Sequence, residues 1–151
     1  MYIVEHLDLP VDSILVLGAA TGEVLRHFDD AWGVMPEGCE ISRWAHRRIP
    51  EPYRSRIRCT DLRRHLPTLR RAGRRFDLIF SNSLVYLARD EIPGVLADCR
   101  AIGDSFHFLS STSESFEPGD RYRVTLAPRR WWRDRFVEAG FAPTRSPYLF
   151  R

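Results

Sequence analysis

One stretch near the start of the chain, Ser13–Phe28, constrains the fold more than any other. It opens with the uncharged run Ile-Leu-Val-Leu-Gly, which is typical of a strand buried on both faces, as in a parallel sheet. A turn of small residues, Gly18–Gly22, comes next. Val24, Leu25 and Phe28 then recur at helical spacing. The stretch therefore predicts a strand, a tight turn and a helix.

The glycines that bound this turn favour ligand binding. Glycine adopts positive φ and lets a backbone approach a ligand closely, and the first N–H groups of a helix have no partner inside it. Gly18 and Gly22 therefore predict a nucleotide-type binding turn. The alternative is an ordinary strand–helix connection in which the glycines only turn the chain.

Length and composition limit the broad class of protein. A chain of 151 residues, 44% hydrophobic and 28% charged, can form one domain with a sizeable core. No apolar run approaches the roughly 20 residues that span a bilayer, and the first ten residues lack the features of a signal peptide. We therefore expect a single domain, residues 1–151, that is cytoplasmic and has no membrane partner.

The cysteines give no sign of a metal site or of disulfides. Cys39, Cys59 and Cys99 are widely spaced and odd in number, and the five histidines are scattered. No Cys-x-x-Cys pair occurs. We expect no structural metal.

All 23 basic residues are arginine, as codon bias in a GC-rich bacterial genome would produce. Twelve of them lie between Arg43 and Arg75, with only Glu51 and Asp61 as acids. Such a block could attract nucleic acid, or it could be the solvated face of two surface helices. Few aromatic residues are present there to stack on bases, so we favour the solvated face.

The rest of the chain alternates predicted strands and helices. Further strands are predicted at Ala31–Met35, Ser55–Thr60, Phe76–Asn82, Ser105–Ser110 and Phe141–Phe150. Helices are predicted at Arg43–Arg48, Arg63–Ala72, Pro128–Gly140 and from about Asp90, capped by Asp90 or Arg89, to Gly103. Pro36–Gly38 is predicted to be a turn, Met1–Pro10 a short helix or extended lead-in, Ser111–Asp120 a loop and Tyr122–Leu126 a short extended piece. This order predicts an α/β fold: a doubly wound, mostly parallel sheet with helices on both faces, which binds ligands beyond the carboxyl ends of its strands.

The order of these signals resembles the class I, Rossmann-like S-adenosylmethionine-dependent methyltransferases over almost the whole chain. Val16–Glu23 is similar to the family's glycine-rich turn, Gly38–Ser42 to the end of its second strand, and Cys59–Leu62 to the end of its third. Phe76–Leu87 is similar to the fourth strand and the segment after it, and Trp132–Phe141 to the last helix and its turn. The resemblance implies that fold and the cofactor S-adenosyl-L-methionine, with S-adenosyl-L-homocysteine as product.

The resemblance also implies cofactor-binding roles for particular residues. These are Gly18, Ala19, Ala20, Gly22, Glu40, Ile41, Asp61, Leu62 and Ser81. Glu40 would hold the ribose hydroxyls, unless it only precedes a helix or Glu37 takes that role. Asp61 would accept from the adenine amino group, and it is also a plausible N-cap for the helix that follows.

The chain departs from the family pattern in three ways. Val16 stands where the family usually has an acid that helps to hold the methionine amino group, and Ala20 replaces the middle glycine. Only one terminal strand is predicted, where the family commonly has an antiparallel pair. Weakened cofactor binding, a non-catalytic relative, or a homodimer that covers the site would each be consistent with this pattern.

The resemblance implies methyl transfer to an oxygen, nitrogen or carbon of a small-molecule acceptor, for example in specialised metabolism. Ser-Asn-Ser-Leu follows the fourth strand instead of an Asn/Asp-Pro-Pro-Tyr/Trp sequence, which argues against amino methylation of nucleobases or glutamine. The alternatives are an RNA methyltransferase that uses the arginine block, and a degenerate cofactor-binding or scaffold protein. A nicotinamide dehydrogenase is disfavoured because the turn lacks Gly-x-Gly-x-x-Gly spacing.

Methyl transfer needs a general base only when the acceptor must first lose a proton. Tyr86 and His107 are the candidate catalytic residues, with Asn82 and the 111–120 loop nearby. Tyr86 could instead pack on the following helix, and His107 could be a core histidine between two phenylalanines. Trp131 and Trp132 are interpreted mainly as core residues.

Overall fold

The computed structural model describes residues 10–109, 112 and 120–151. Its strands are β1 (Ile14–Leu17), β2 (Glu37–Glu40), β3 (Ile57–Cys59), β4 (Phe76–Ser81), β5 (Gly103–Phe108) and β6 (Leu149–Phe150). Its α-helices are α1 (Glu23–Trp32), α2 (Arg43–His46), α3 (Leu62–Arg71), α4 (Ile92–Ile102) and α5 (Arg129–Glu138), with 3₁₀ turns at Tyr53–Arg56 and Leu84–Tyr86. The predictions for Met1–Pro10 and Ser111–Asp120 fall almost wholly outside the described residues, as does Ser110.

The strands form one six-stranded sheet in the order β3-β2-β1-β4-β5-β6. β1 to β5 are parallel, and β6 runs antiparallel to β5. After β3 the chain crosses to the other side of β1, so the strand order reverses between β1 and β4. This confirms the predicted doubly wound, mostly parallel sheet.

Apolar residues of β1 alternate between the two faces of the sheet. Leu15 and Leu17 belong to a core cluster shared with α3, α4 and α5, whereas Ile14 and Val16 belong to one shared with α1. Because successive side chains of a strand point to opposite faces of the sheet, this short strand contributes to both core clusters. Helices cover both faces, as predicted.

The second strand was predicted too early in the sequence. Of the residues predicted as strand Ala31–Met35, the first two instead finish α1, which continues to Trp32. The Trp32 indole stacks on Phe28 at 5.5 Å. Gly33, at φ +66°, ends the helix by donating its N–H to the carbonyl of Asp29. β2 therefore begins only at Glu37.

The prediction of a turn at Pro36–Gly38 is also wrong, because β2 includes two of these residues, Glu37 and Gly38. Gly38 lies inside β2 and pairs with Val16 of β1. A Cβ on Gly38 would lie 2.0 Å from the Val16 carbonyl oxygen. The glycine therefore allows two central strands to approach, which is a different role from turning the chain.

Several other boundaries differ from the prediction. β3 is shortened at its start because Tyr53–Arg56 forms a 3₁₀ turn. β5 begins at Gly103, which was predicted only to end a helix but pairs with Phe76. The helix predicted to be capped by Asp90 or Arg89 begins at Ile92, and neither of those side chains caps it.

The chain end was predicted as one long strand, Phe141–Phe150, but only Leu149–Phe150 forms β6. Before it the chain doubles back: Pro143 forms a bridge with Phe150, and Ala142 exchanges two backbone hydrogen bonds with Arg151. The hydroxyl of Thr144 hydrogen-bonds to the Leu149 carbonyl at 2.9 Å and holds this reversal.

None of the helices in the described ranges combines the length and the apolar character needed to cross a membrane.

Candidate functional site

A cavity of about 350 Å³ opens at the carboxyl ends of β1, β2, β3 and β4, where the strand order reverses. Its wall consists of Gly18, Ala20, Cys39, Glu40, Ile41, Ala45, Thr60, Asp61, Leu62, Arg63, Asn82, Ser83, Tyr86 and Leu87. Six of the nine predicted cofactor residues are in this wall. The remaining three, Ala19, Gly22 and Ser81, are outside it.

The β1–α1 turn is held against the end of β2. The N–H groups of Gly18 and Ala19 both donate to the carbonyl of Cys39, at 3.0 and 3.2 Å. Gly18 has φ +86°, and a Cβ there would lie 1.9 Å from the Ser83 Oγ. Gly22, at φ +93°, starts α1. Ala19 and Gly22 thus shape the turn without lining the cavity.

Glu40 ends β2 and is 7% exposed. Its Oε1 accepts the N–H of Ser42 at 2.7 Å, and its Oε2 accepts the N–H of Ala20 at 2.8 Å. These are charge-assisted hydrogen bonds, and each oxygen keeps a second lone pair. Glu37, its rival for the ribose role, lies at the opposite end of β2, pairs with Arg74 and is not in the cavity wall.

Ala20 has φ +48° and is the one non-glycine residue with positive φ in the described ranges. The left-handed conformation costs an alanine about 1–2 kcal/mol. The hydrogen bond from the Ala20 N–H to Glu40 holds the backbone in this conformation. Ala20 itself lies in the cavity wall. Alanine at the position of the family's middle glycine is therefore tolerated, but its backbone is strained.

We expect Ala20→Gly to raise the free energy of unfolding by about 0.5 kcal/mol, because relief of the left-handed strain exceeds the extra entropy of an unfolded glycine. Urea unfolding measures this. Ala19→Gly is the matched control, since Ala19 is 1% exposed and lacks positive φ, and it should lower stability. If the Ala20→Gly protein were less stable than the unaltered protein, the backbone strain inferred at Ala20 would be contradicted.

Asp61 is the N-cap of α3, where its Oδ1 accepts the N–H of Arg63 at 2.8 Å. The Arg63 guanidinium also binds both Asp61 oxygens and bridges to Glu91. Arg63 thereby lowers the pKa of Asp61. An adenine amino group could reach Asp61 only by replacing one of these contacts. Nothing in the sequence distinguished Arg63 from its eleven arginine neighbours.

Tyr86 lies in the cavity wall and is 45% exposed. Its hydroxyl donates to Asp120 at 2.6 Å, and Asp120 also pairs with Arg123. Burial and the bond to Asp120 raise the pKa of Tyr86, so it is a hydrogen-bond donor at neutral pH and not a base. Beside it, Asn82 accepts from the Ser83 hydroxyl at 3.0 Å.

His107 and Ser81 are buried outside the cavity wall. His107 is 5% exposed and stacks on Phe80 at 5.7 Å, and burial lowers its pKa to about 4. The Ser81 hydroxyl donates to the Leu17 carbonyl and accepts from the Ser83 N–H, both at 3.0 Å. Ser81 therefore ties the end of β4 to β1.

Of three further positions singled out in the sequence, two are core residues and the third packs against the core. Val16 is fully buried in the α1-side cluster. As an apolar residue it supplies no carboxylate for the methionine amino group. Trp132 is 1% exposed and packs against Phe108 at 4.7 Å. Trp131 is partly buried beside it.

Four of the twelve arginines of the block pair with acids from elsewhere in the chain. Its cross-element ion pairs are Arg63–Glu91, Arg70–Asp98, Arg74–Glu37 and Arg75–Asp104. Most of these side chains are exposed. This pairing supports the interpretation of the block as a solvated face.

No protein-family model and no curated protein matches the chain. Solved structures do. A SAM-dependent methyltransferase from Archaeoglobus fulgidus is 15% identical, with TM-score 0.74 over 86% of this chain and 61% of that one. The cyclopropane synthase MmaA2 from Mycobacterium tuberculosis is 12% identical, with TM-score 0.70 over 90% and 56%. The N-terminal domain of EvdMO1, solved in the presence of SAH and D-fucose, is 18% identical, with TM-score 0.64 over 93% and 73%.

This chain thus spans less than two thirds of the first two of those proteins. The identities are low, but the alignments cover most of this chain at high structural similarity. The chain has the class I, Rossmann-like fold of the SAM-dependent methyltransferases.

Proposed function

We propose that the chain binds S-adenosylmethionine in the cavity at the ends of β1 to β4 and transfers its methyl group to a small-molecule acceptor. The observation that carries this proposal is Glu40, a buried residue of the cavity wall at the end of β2, whose two carboxylate oxygens each accept one backbone N–H and keep a second lone pair. Two hydroxyl groups of a ribose are suitable donors for such a carboxylate. The fold relatives, one of them solved with SAH, support the choice of cofactor.

Other parts of the wall fit the same cofactor. Gly18 presents only backbone to the wall, which allows a ligand to approach the β1–α1 turn closely. Ile41 and Leu62 supply apolar surface for a base. The cavity volume of about 350 Å³ is within the usual range for small-ligand sites, roughly 300–1,000 Å³.

When bound, the cofactor supplies an electrophilic methyl carbon: the acceptor's lone pair forms the new bond, and the carbon–sulfur bond pair stays on sulfur. The wall residues therefore need to position the reactants in line. The described wall offers no available base, because Glu40 is assigned to the ribose, Asp61 is paired with Arg63, Tyr86 is protonated, and burial raises the pKa of Cys39 to about 12. An acceptor atom that is already nucleophilic suits this site.

A small molecule is preferred to RNA as acceptor. Ion pairs with acids outside the block engage four of its twelve arginines, which are then less available to RNA phosphates. The sequence Ser-Asn-Ser-Leu, which begins at the last residue of β4, also differs from the pattern of enzymes that methylate amino groups of bases.

Calorimetric titration with S-adenosylhomocysteine and S-adenosylmethionine tests the proposal. We expect micromolar affinity for both, and a higher melting temperature with either ligand, because a ligand that binds only the folded state stabilises it. Adenosine alone should bind more weakly. A folded protein that binds neither ligand would refute the proposed function.

A further inference from the structure

The side chain of Arg63 covers the carboxylate of Asp61 in the wall of the cavity. Oδ1 of Asp61 accepts the backbone N–H of Arg63 at 2.8 Å and the Nε–H of its side chain at 3.0 Å. Oδ2 lies 3.1 Å from the same Nε and accepts a further hydrogen bond from Nη2. A carboxylate has about four lone-pair sites. While Arg63 stays in this position, Asp61 therefore has no acceptor site left for a ligand.

Arg63 has a second acidic partner, which it can keep if it leaves Asp61. Its Nη1 pairs with Oε1 of Glu91, the residue directly before α4. The other oxygen of Glu91 accepts the N–H of Ala88 at 2.8 Å, and this bond holds the carboxylate in place. The side chain of Arg63 is 46% exposed, and exposed ion pairs contribute little to stability. A competing ligand group can therefore displace Arg63 from Asp61 at small cost.

Arg63 also has donors to spare. A guanidinium carries five N–H groups, and the contacts with Asp61 and Glu91 use one on each of its three nitrogens. The other two N–H groups, one on each terminal nitrogen, have no acceptor among the residues that the structure describes. Arg63 thus adds hydrogen-bond donors to a part of the wall where Asp61 alone would offer only acceptors.

Donors and acceptors at this point of the wall favour different groups on a purine ring. The 6-amino group of adenine is a donor, so it needs Asp61 and must first displace Arg63. A 6-oxo group is an acceptor, and it can accept from the guanidinium without displacing it. The arginine therefore opposes the first kind of base and favours the second.

We propose that Arg63 sets the selectivity of the site for the purine base, by competing with a 6-amino group for Asp61 and by donating to a 6-oxo group. The inference rests on the proposed function, because it is the bound cofactor that brings a purine to this part of the wall. Loss of the arginine side chain should leave a site that selects the amino group more strongly.

Calorimetric titration with S-adenosylhomocysteine and with its 6-oxo analogue S-inosylhomocysteine tests this assignment. Arg63→Met removes the guanidinium and leaves the backbone N–H that Asp61 accepts at the start of α3. We expect this variant to bind S-adenosylhomocysteine about threefold more tightly, because no competitor remains, and the analogue about threefold more weakly, because a donor is lost. The ratio of the two dissociation constants should thus change by about tenfold.

Glu91→Gln should have the opposite effect on S-adenosylhomocysteine. It removes the charged group to which Arg63 would withdraw, so the guanidinium should stay on Asp61 and binding should weaken by about threefold. Binding of the analogue should change little. Since both variants break the same ion pair, a merely structural role of that pair would change the affinity in the same direction in each.

Arg64→Met is the matched control. Arg64 is the next residue of α3 and also contributes positive charge near Asp61, but it is outside the cavity wall. Its variant should keep the ratio of the unaltered protein. Absence of S-adenosylhomocysteine binding in the unaltered protein would refute the proposed function and this inference with it. With that binding intact, an unchanged ratio or weaker S-adenosylhomocysteine binding in Arg63→Met, or an equal change in Arg64→Met, would refute the role of Arg63 alone.

Discussion

Replacement of Glu40 by alanine is expected to weaken binding of S-adenosylhomocysteine by on the order of a hundredfold, because two charge-assisted hydrogen bonds to the ribose would be lost. Stability should also fall, by about 2 kcal/mol, since the N–H groups of Ala20 and Ser42 lose their acceptor. Calorimetry measures the first effect and urea unfolding the second.

Two further variants separate these effects. Glu40→Gln keeps the size of the side chain, but its amide NH₂ must face one of the two backbone N–H groups, so it should restore only part of the stability and part of the affinity. Glu37→Ala removes a carboxylate from the other end of the same strand, where it pairs with the exposed Arg74. Glu37→Ala should change neither the free energy of S-adenosylhomocysteine binding nor the free energy of unfolding by more than about 1 kcal/mol. Wild-type affinity in Glu40→Ala would exclude a ribose role.

Among substitutions that add one methyl group to a residue of the site, Gly18→Ala should lower the stability most. The new Cβ would lie 1.9 Å from the Ser83 Oγ and 2.8 Å from its Cβ, so rotation of the hydroxyl alone does not relieve the clash. The φ of +86° adds left-handed strain. We expect a loss of about 3 kcal/mol in the free energy of unfolding, together with loss of cofactor binding.

Gly33→Ala and Ser83→Gly provide the controls for this prediction. Gly33 also has positive φ, but a Cβ there meets nothing within 4 Å, so its alanine variant reports the strain alone, about 1 kcal/mol. The double variant Gly18→Ala/Ser83→Gly should recover the steric part of the loss, which a double-mutant cycle measures. A Gly18→Ala protein no less stable than Gly33→Ala would contradict the close packing of the two turns.

The fold was predictable wherever local pattern and tertiary environment agree. The run Ile14–Leu17 is buried on both sides, and that is why a short uncharged sequence identified a central strand. β2 was misplaced because Gly38 was interpreted by its turn preference. Its actual role depends on how closely Val16 approaches from the neighbouring strand. That distance is a property of the sheet and has no local signal.

The candidate site divides along the same line. Glu40 and Asp61 were identified through the family resemblance, which places cofactor-binding acids at the ends of the second and third strands, and in the structure Glu40 ends β2 and Asp61 comes shortly after β3. Arg63 and Ser83 were missed because their roles arise from contacts with residues far along the chain, Glu91 in one case and Gly18 in the other.

The way the chain doubles back after α5 has a consequence for association. Ala142 and Pro143 pair with the outer side of the final strand, so the free edge of the sheet there is covered by the protein's own backbone. Proline has no N–H to offer to an incoming strand. At the opposite edge, β3 is three residues long and carries the exposed Arg58. Short and charged edges resist edge-to-edge pairing, so both ends of this sheet are protected against the strand addition that begins aggregation.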